Sequence, residues 1–191
     1  LLVAVINESL KYGDIIQKNF IDTYFNLTLK TMMGIEWIHK FCSESSFVMK
    51  ADSDVFNTRF FTGFLKLNDQ PIRNIFSKWY VSKHEYPSNI YPPFCSGIGY
   101  VFSTDVASLL YRISDNIPFI KLEDVFIGFC LAKLNITLEN LHSKQTFFPE
   151  RLEFSPCRLK KIVASHSVKP HELIIFWNTL ERSMNEKCPD D

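Results

Sequence analysis

No apolar stretch in the chain approaches the roughly 18–20 uncharged residues that a membrane-spanning helix requires. The opening LLVAVINESL is too short, and no cationic stretch precedes it, so it does not read as a signal peptide either. Charge of one sign is not in excess: 21 Lys and Arg meet 21 Asp and Glu, so nothing calls for nucleic acid or an anionic membrane surface as partner. There is no CxxC pair and no zinc spacing, and no GxGxxG, GxSxG or P-loop. Repeats and low-complexity segments are also missing, which excludes solenoids and disordered tracts.

What is there is a globular composition, 46% hydrophobic and 22% charged over 191 residues, which suits one domain with a sizeable core. Phe supplies 18 of the aromatic residues, favouring a dense core and an aromatic-lined cleft. Five cysteines, Cys42, Cys95, Cys130, Cys157 and Cys188, read either as buried thiols or as disulfides of a secretory lumen, with one left over. Two sequons occur, Asn26-Leu27-Thr28 and Asn135-Ile136-Thr137.

LLVAV followed by polar residues predicts a buried strand, and the missing initiator Met suggests a start inside a larger protein. Leu29, Met32, Met33, Trp37 and Phe41 recur at helical spacing, predicting a helix over 27–41 with one buried face. Phe47–Ala51 is near-continuously apolar and predicts a buried strand of a parallel sheet. Further strands are predicted over Arg59–Leu67 and Ile162–Ala164. Further helices are predicted after Ser103 or Thr104, from Glu123-Asp124, and over 171–182. Alternation of this kind predicts an α/β domain with a mainly parallel sheet.

Four constellations can carry chemistry. Asp52 and Asp54, at i and i+2 past a strand end, are a solvated turn or a site for a hard cation, Mg²⁺ or Mn²⁺, with substrate phosphates. Glu123 and Asp124 are favourable charge on a helix N-terminus, or hold a general base. Gly97 and Gly99 in CSGIGY allow close backbone approach or a positive φ. Ser96, just before them, has no His/Asp set, so a serine hydrolase is disfavoured. His166, past a strand, is structural or completes a mixed oxygen and nitrogen metal site.

In order along the chain, DIIQKNFIDTYFNLTLKTMMGIEWIHKFC, FVMKADSDVF, RFFTGFLKLNDQPIR, SKWYVSKHEYPSNIYPPFCSGIGYVFS and IKLEDVFIGFC resemble the β1,3-galactosyltransferase family of Golgi enzymes. The likeness runs from about Asp14 to Cys188. It implies a GT-A type nucleotide-sugar-binding domain, here one partial catalytic domain over 1–191 whose first nucleotide-binding strands are absent. It implies transfer of galactose from UDP-galactose, in β1,3 linkage with inversion, to a terminal N-acetylglucosamine on glycoproteins or glycolipids. By the same likeness, Asp52 and Asp54 hold Mn²⁺ and the diphosphate, His166 is the metal-side histidine, and Asp124 is the base with Glu123 beside it. Gly97, Gly99, Trp79, Tyr91 and Phe94 would shape the sugar clefts. A Golgi lumenal domain behind a membrane anchor outside this chain would explain sequons and cysteines together.

The N-acetylglucosaminyltransferases of this group share the DxD and EDV motifs, but KTMMGIEW and FLKLN favour the galactosyl branch. A non-catalytic derivative is the reading from another class. It draws on a departure: DSDVF runs straight into NTRFFTG, where the family leads one to expect a loop and a helix. With the first nucleotide-binding strands missing, the sheet edge and nucleotide pocket would be open, so the piece alone is expected to be weakly stable and inactive.

Overall fold

The opening LLVAV is not a strand. It begins α1, Leu2–Tyr12, because the pattern continues past it: Val3, Ile6 and Leu10 follow at three- and four-residue spacing, which a helix places on one face. That face is left exposed, with Val3 at 71% and Leu10 at 81%. The computed structural model describes residues 2–51, 63–138 and 146–188. Asp52, Asp54 and the Phe56–Asn57 junction lie outside the described residues.

A 3₁₀ turn, Tyr24–Asn26, leads into α2, Leu27–Phe41, which has the predicted bounds. Its buried face is rotated from the predicted one. Thr28 and Ile35 are buried and Met32 and Ile38 pack on the core, whereas Leu29, Trp37 and Phe41 are exposed. The polar residue decides the rotation: the Thr28 hydroxyl donates to the Ile120 carbonyl at 2.8 Å, and this buried bond fixes the helix face. Trp37 and Phe41 contact each other outside, ring centroids 5.8 Å apart.

The strand β1, Phe47–Ala51, also has its predicted bounds. There follow β2, Leu65–Lys66; β3, Phe94–Cys95; and β4, Gly99–Ser103. Then come α3, Thr104–Ser114, and α4, Glu123–Lys133. The chain closes with β5, Phe147–Phe148; α5, Pro156–Leu159; β6, Ala164–Ser165; and α6, Pro170–Ser183. Among the described residues β1 pairs with β4 and β2 with β3, both antiparallel, while β5 and β6 are parallel. The expected mainly parallel sheet is not what these ladders show. An unbroken apolar run reports burial of both strand faces; it does not report strand direction.

The main core lies where α2, α3 and α4 pack together around Ile35, Leu110, Phe126 and Cys130. Ser103 takes the extended backbone of an N-cap, but its side chain makes no capping bond. Thr104 Oγ1 donates instead to the Ser45 carbonyl, tying the start of α3 to the approach to β1. The C-terminus of α4 is a Schellman motif: Ile136 N–H reaches the Leu131 carbonyl at 3.0 Å and Asn135 N–H the Ala132 carbonyl at 3.1 Å. Asn135 has φ +54°, a left-handed conformation that Asn tolerates well, and it is exposed. The other sequon is more engaged, with Asn26 Nδ2 donating to the Ile21 carbonyl at 2.7 Å.

Cys157 and Cys188 form a disulfide that ties α5 to the chain beyond α6, while Cys42, Cys95 and Cys130 are free thiols. With 31 residues of separation, the bridge should stabilise by about 3–4 kcal/mol through chain entropy in the unfolded state. We expect Cys157→Ser to lower the urea midpoint accordingly, and reductant to reproduce the shift in the parent but not in the variant.

Candidate active site

Register places Lys50 of β1 directly opposite Tyr100 of β4. Cross-strand neighbours share a sheet face, and both side chains converge on the first turn of α4. Lys50 Nζ donates to Glu123 Oε1 at 2.8 Å and to the Gly97 carbonyl at 3.0 Å. The Tyr100 hydroxyl donates to Glu123 Oε2 at 2.9 Å. Glu123 is only 5% exposed, so a buried carboxylate has both oxygens occupied, one of them by a cation.

The Asp124 carboxylate is held differently. Its Oδ2 accepts from Gly97 N–H at 3.0 Å and its Oδ1 from Val125 N–H at 2.9 Å. Burial, with the Glu123 charge next in importance, pushes its carboxyl up from the usual 3.8 to about 6, against the opposing pull of those two N–H groups and of Lys50. The Tyr100 hydroxyl is driven well above the tyrosine range, first by burial and then by Glu123.

Lys50, Glu123 and Asp124 face a cavity of about 720 Å³, whose wall also includes Trp79, Tyr91, Phe94, Ser96, Gly97 and His166. Four site residues named from sequence, Gly97, Glu123, Asp124 and His166, thus meet around one space, together with all three named aromatics. Gly99 is not in the wall. It opens β4 opposite Ala51. Neither glycine uses a positive φ, since Gly13 alone does so among the described glycines. Gly97 is there for close approach: a Cβ on it would stand 2.8 Å from Glu123 Oε1.

His166 also lines the cavity, carried there by the chain just past β6. The β5–β6 ladder continues into a bond from His166 N–H to the Phe148 carbonyl at 3.0 Å, and Nδ1 lies 3.0 Å from Ser167 Oγ. Ser167 has φ +66°, a conformation that a serine holds only when its surroundings impose it. Tyr91 is 4% exposed, and its buried hydroxyl has no hydrogen-bond partner among the described residues; burial pushes it up to about 12. Among the described residues no three His, Cys, Asp or Glu side chains are grouped to hold a metal ion, and the two DSD aspartates lie outside them.

Sequence reasoning missed Lys50, Tyr100 and Arg73. For Lys50 the signal was visible: one cation inside an apolar strand, two residues before Asp52. Arg73 left no such signal. It donates to the carbonyls of Val81, Tyr86 and Ser88 at 2.8, 2.8 and 2.7 Å, shaping the loop that carries Trp79 to the cavity.

A family model described as galactosyltransferase matches residues 2–65 and 57–142. The chain belongs to the galactosyltransferase family. The match falls in two segments that overlap at 57–65, just beyond DSDVF. Among curated members, human beta-1,3-galactosyltransferase 5 is 59% identical over 200 residues, covering 97% of this chain and 64% of the relative. The mouse protein of the same name is 57% identical over 201 residues, covering 97% and 65%. Human beta-1,3-galactosyltransferase 2 is 41% identical over 202 residues, covering 97% and 48%. This galactosyltransferase-family chain therefore spans less than two thirds of the length of those relatives. Among the described residues no helix is long and apolar enough to cross a membrane.

Proposed function

We propose that the chain carries the catalytic centre of a β1,3-galactosyltransferase of GT-A type, which moves galactose from UDP-galactose with inversion to a terminal N-acetylglucosamine in the Golgi lumen. The observation that carries this reading is Asp124: a carboxylate in the cavity wall, held by two backbone N–H groups and tuned to about 6. A base works best with a pKa near the operating pH, because it is then ionised and still basic enough to take a hydroxyl proton. Glu123 is not suited to that task, since it is ion-paired with the Lys50 ammonium and its other oxygen is taken by the Tyr100 hydroxyl, whereas Asp124 is held by backbone N–H groups and carries no cation of its own among the described residues.

In this reading the acceptor hydroxyl lies against Asp124 and gives up its proton as it attacks the anomeric carbon, whose bond to the diphosphate breaks on the far side. Trp79, half exposed at the rim, offers an aromatic face to the apolar side of a sugar ring. The Tyr91 hydroxyl is a polar atom of the same wall with bonding capacity unused among the described residues. Asp52, Asp54 and His166 are the residues that would hold Mn²⁺, a donor set of hard oxygens and one imidazole that suits this ion. When bound, the ion neutralises charge on the departing diphosphate. In support of this reading, His166 lines the same cavity as Asp124.

The test is transfer by the full-length protein, with Mn²⁺, from UDP-galactose to an acceptor ending in N-acetylglucosamine. Transfer from UDP-N-acetylglucosamine alone would reassign the donor, and binding of either without transfer would make the protein a non-catalytic relative. A pH dependence follows from the ionised base. We expect kcat/KM to be flat above the Asp124 value of about 6 and to fall about tenfold per unit below it.

A further inference from the structure

Among the described residues, Lys50 is the one ammonium group that touches two walls of the base's housing. Its Nζ bonds the Glu123 carboxylate of α4 and the Gly97 carbonyl of the turn before β4. Gly97 then passes the constraint on, because its N–H donates to Asp124 Oδ2. The path closes on itself, since Glu123 and Asp124 are adjacent in the first turn of α4. A buried ion pair is poor evidence for stability, because an apolar pair of the same size would hold the fold as well or better. Its presence in an otherwise apolar strand, FVMKA, points to orientation.

We propose that Lys50, with Glu123, is a positioning device for the base: the ammonium pins the Gly97 peptide whose N–H orients the Asp124 carboxylate, and couples it to the end of β1, two residues before Asp52. The proposal rests on Asp124 as the base, and the experiment separates the two. In the full-length protein, Lys50→Met, Glu123→Gln and the double variant are compared with the parent and with Asp124→Asn. For Lys50→Met we expect kcat to fall about 10²-fold, the cost of a base displaced by about an ångström. The KM for UDP-galactose should stay within about threefold, because the interaction matters in the transition state and not in ground-state binding.

The acid limb of kcat/KM supplies a signed readout that a packing role would not move. Asp124 is faced by Glu123 of its own helix, Lys50 of β1, Tyr100 of β4 and Tyr91 of the preceding loop. Loss of the Lys50 cation should move the limb to higher pH, and loss of the Glu123 charge should move it lower. The double variant, which removes both charges of the Lys50–Glu123 pair, should fold and be no slower than the worse single variant, because both substitutions break one path. A Lys50→Met kcat within about threefold of the parent, with the limb unmoved, would overturn the proposal. So would failure of all three variants to fold, which would mean a packing role. If Asp124→Asn keeps full transfer, the base assignment fails instead; if it abolishes transfer while Lys50→Met is normal, only the positioning role falls.

Discussion

Asp124→Asn should lower transfer by about 10³-fold, within the range that a general base contributes, and should raise the stability of the protein at the same time. Both effects come from one cause. In the fold, Asp124 is buried beside Glu123, so its carboxyl holds a proton up to about pH 6, against 3.8 in the unfolded chain. A group that binds its proton more tightly when folded stabilises the fold below the unfolded value. That contribution is lost as pH rises through the folded value. At neutral pH the ionised carboxylate therefore burdens the fold by on the order of 3 kcal/mol, one pKa unit being worth 1.36 kcal/mol. Asn removes the charge and keeps one acceptor for the Gly97 N–H. We expect its thermal midpoint to lie above the parent's at pH 7.5 and the difference to shrink towards pH 4. A variant that loses activity by misfolding would show the opposite, a lower midpoint. An unchanged rate would remove Asp124 from the chemistry.

Which features the sequence disclosed, and which it did not, follows from the range of the forces involved. Bounds of α2 and β1 were legible because helical spacing and an apolar run are local signals. The helix starting at Glu123 was legible for the same reason. The face of α2 was not, because it is set by Thr28 reaching a carbonyl 92 residues away. Strand direction was not, since antiparallel pairing of β1 with β4 depends on where the chain returns. In the site, motif order placed Asp124 and His166 on one cavity, although 42 residues of chain separate them. Of the partners that hold Glu123, Lys50 stands out as a lone cation in an apolar strand, but Tyr100 looks like an ordinary strand residue until the register puts the two opposite one another.

Gly97→Ala and Gly34→Ala are the same chemical change and should have opposite signs. Gly34 lies inside α2, and a Cβ there would meet nothing within 4 Å. Alanine should stabilise by about 0.5–1 kcal/mol through better helix propensity. At Gly97 the added methyl stands 2.8 Å from Glu123 Oε1 and 3.6 Å from Asp124 Oδ2. The first distance demands movement, and Glu123 is not a side chain free to swing aside: Lys50 and Tyr100 each hold one of its oxygens. Moving it breaks a buried charge-assisted bond; moving the 96–98 turn instead pulls the Gly97 N–H off Asp124. By either route we expect a loss of about 1–3 kcal/mol from overpacking and a fall in kcat of about 10²-fold from the displaced base. Denaturant titration of both variants beside the parent, with kcat measured on each, checks the pair. A Gly97→Ala protein with parental kcat would mean that the turn can yield without disturbing Asp124, and that the close approach at Gly97 is packing alone.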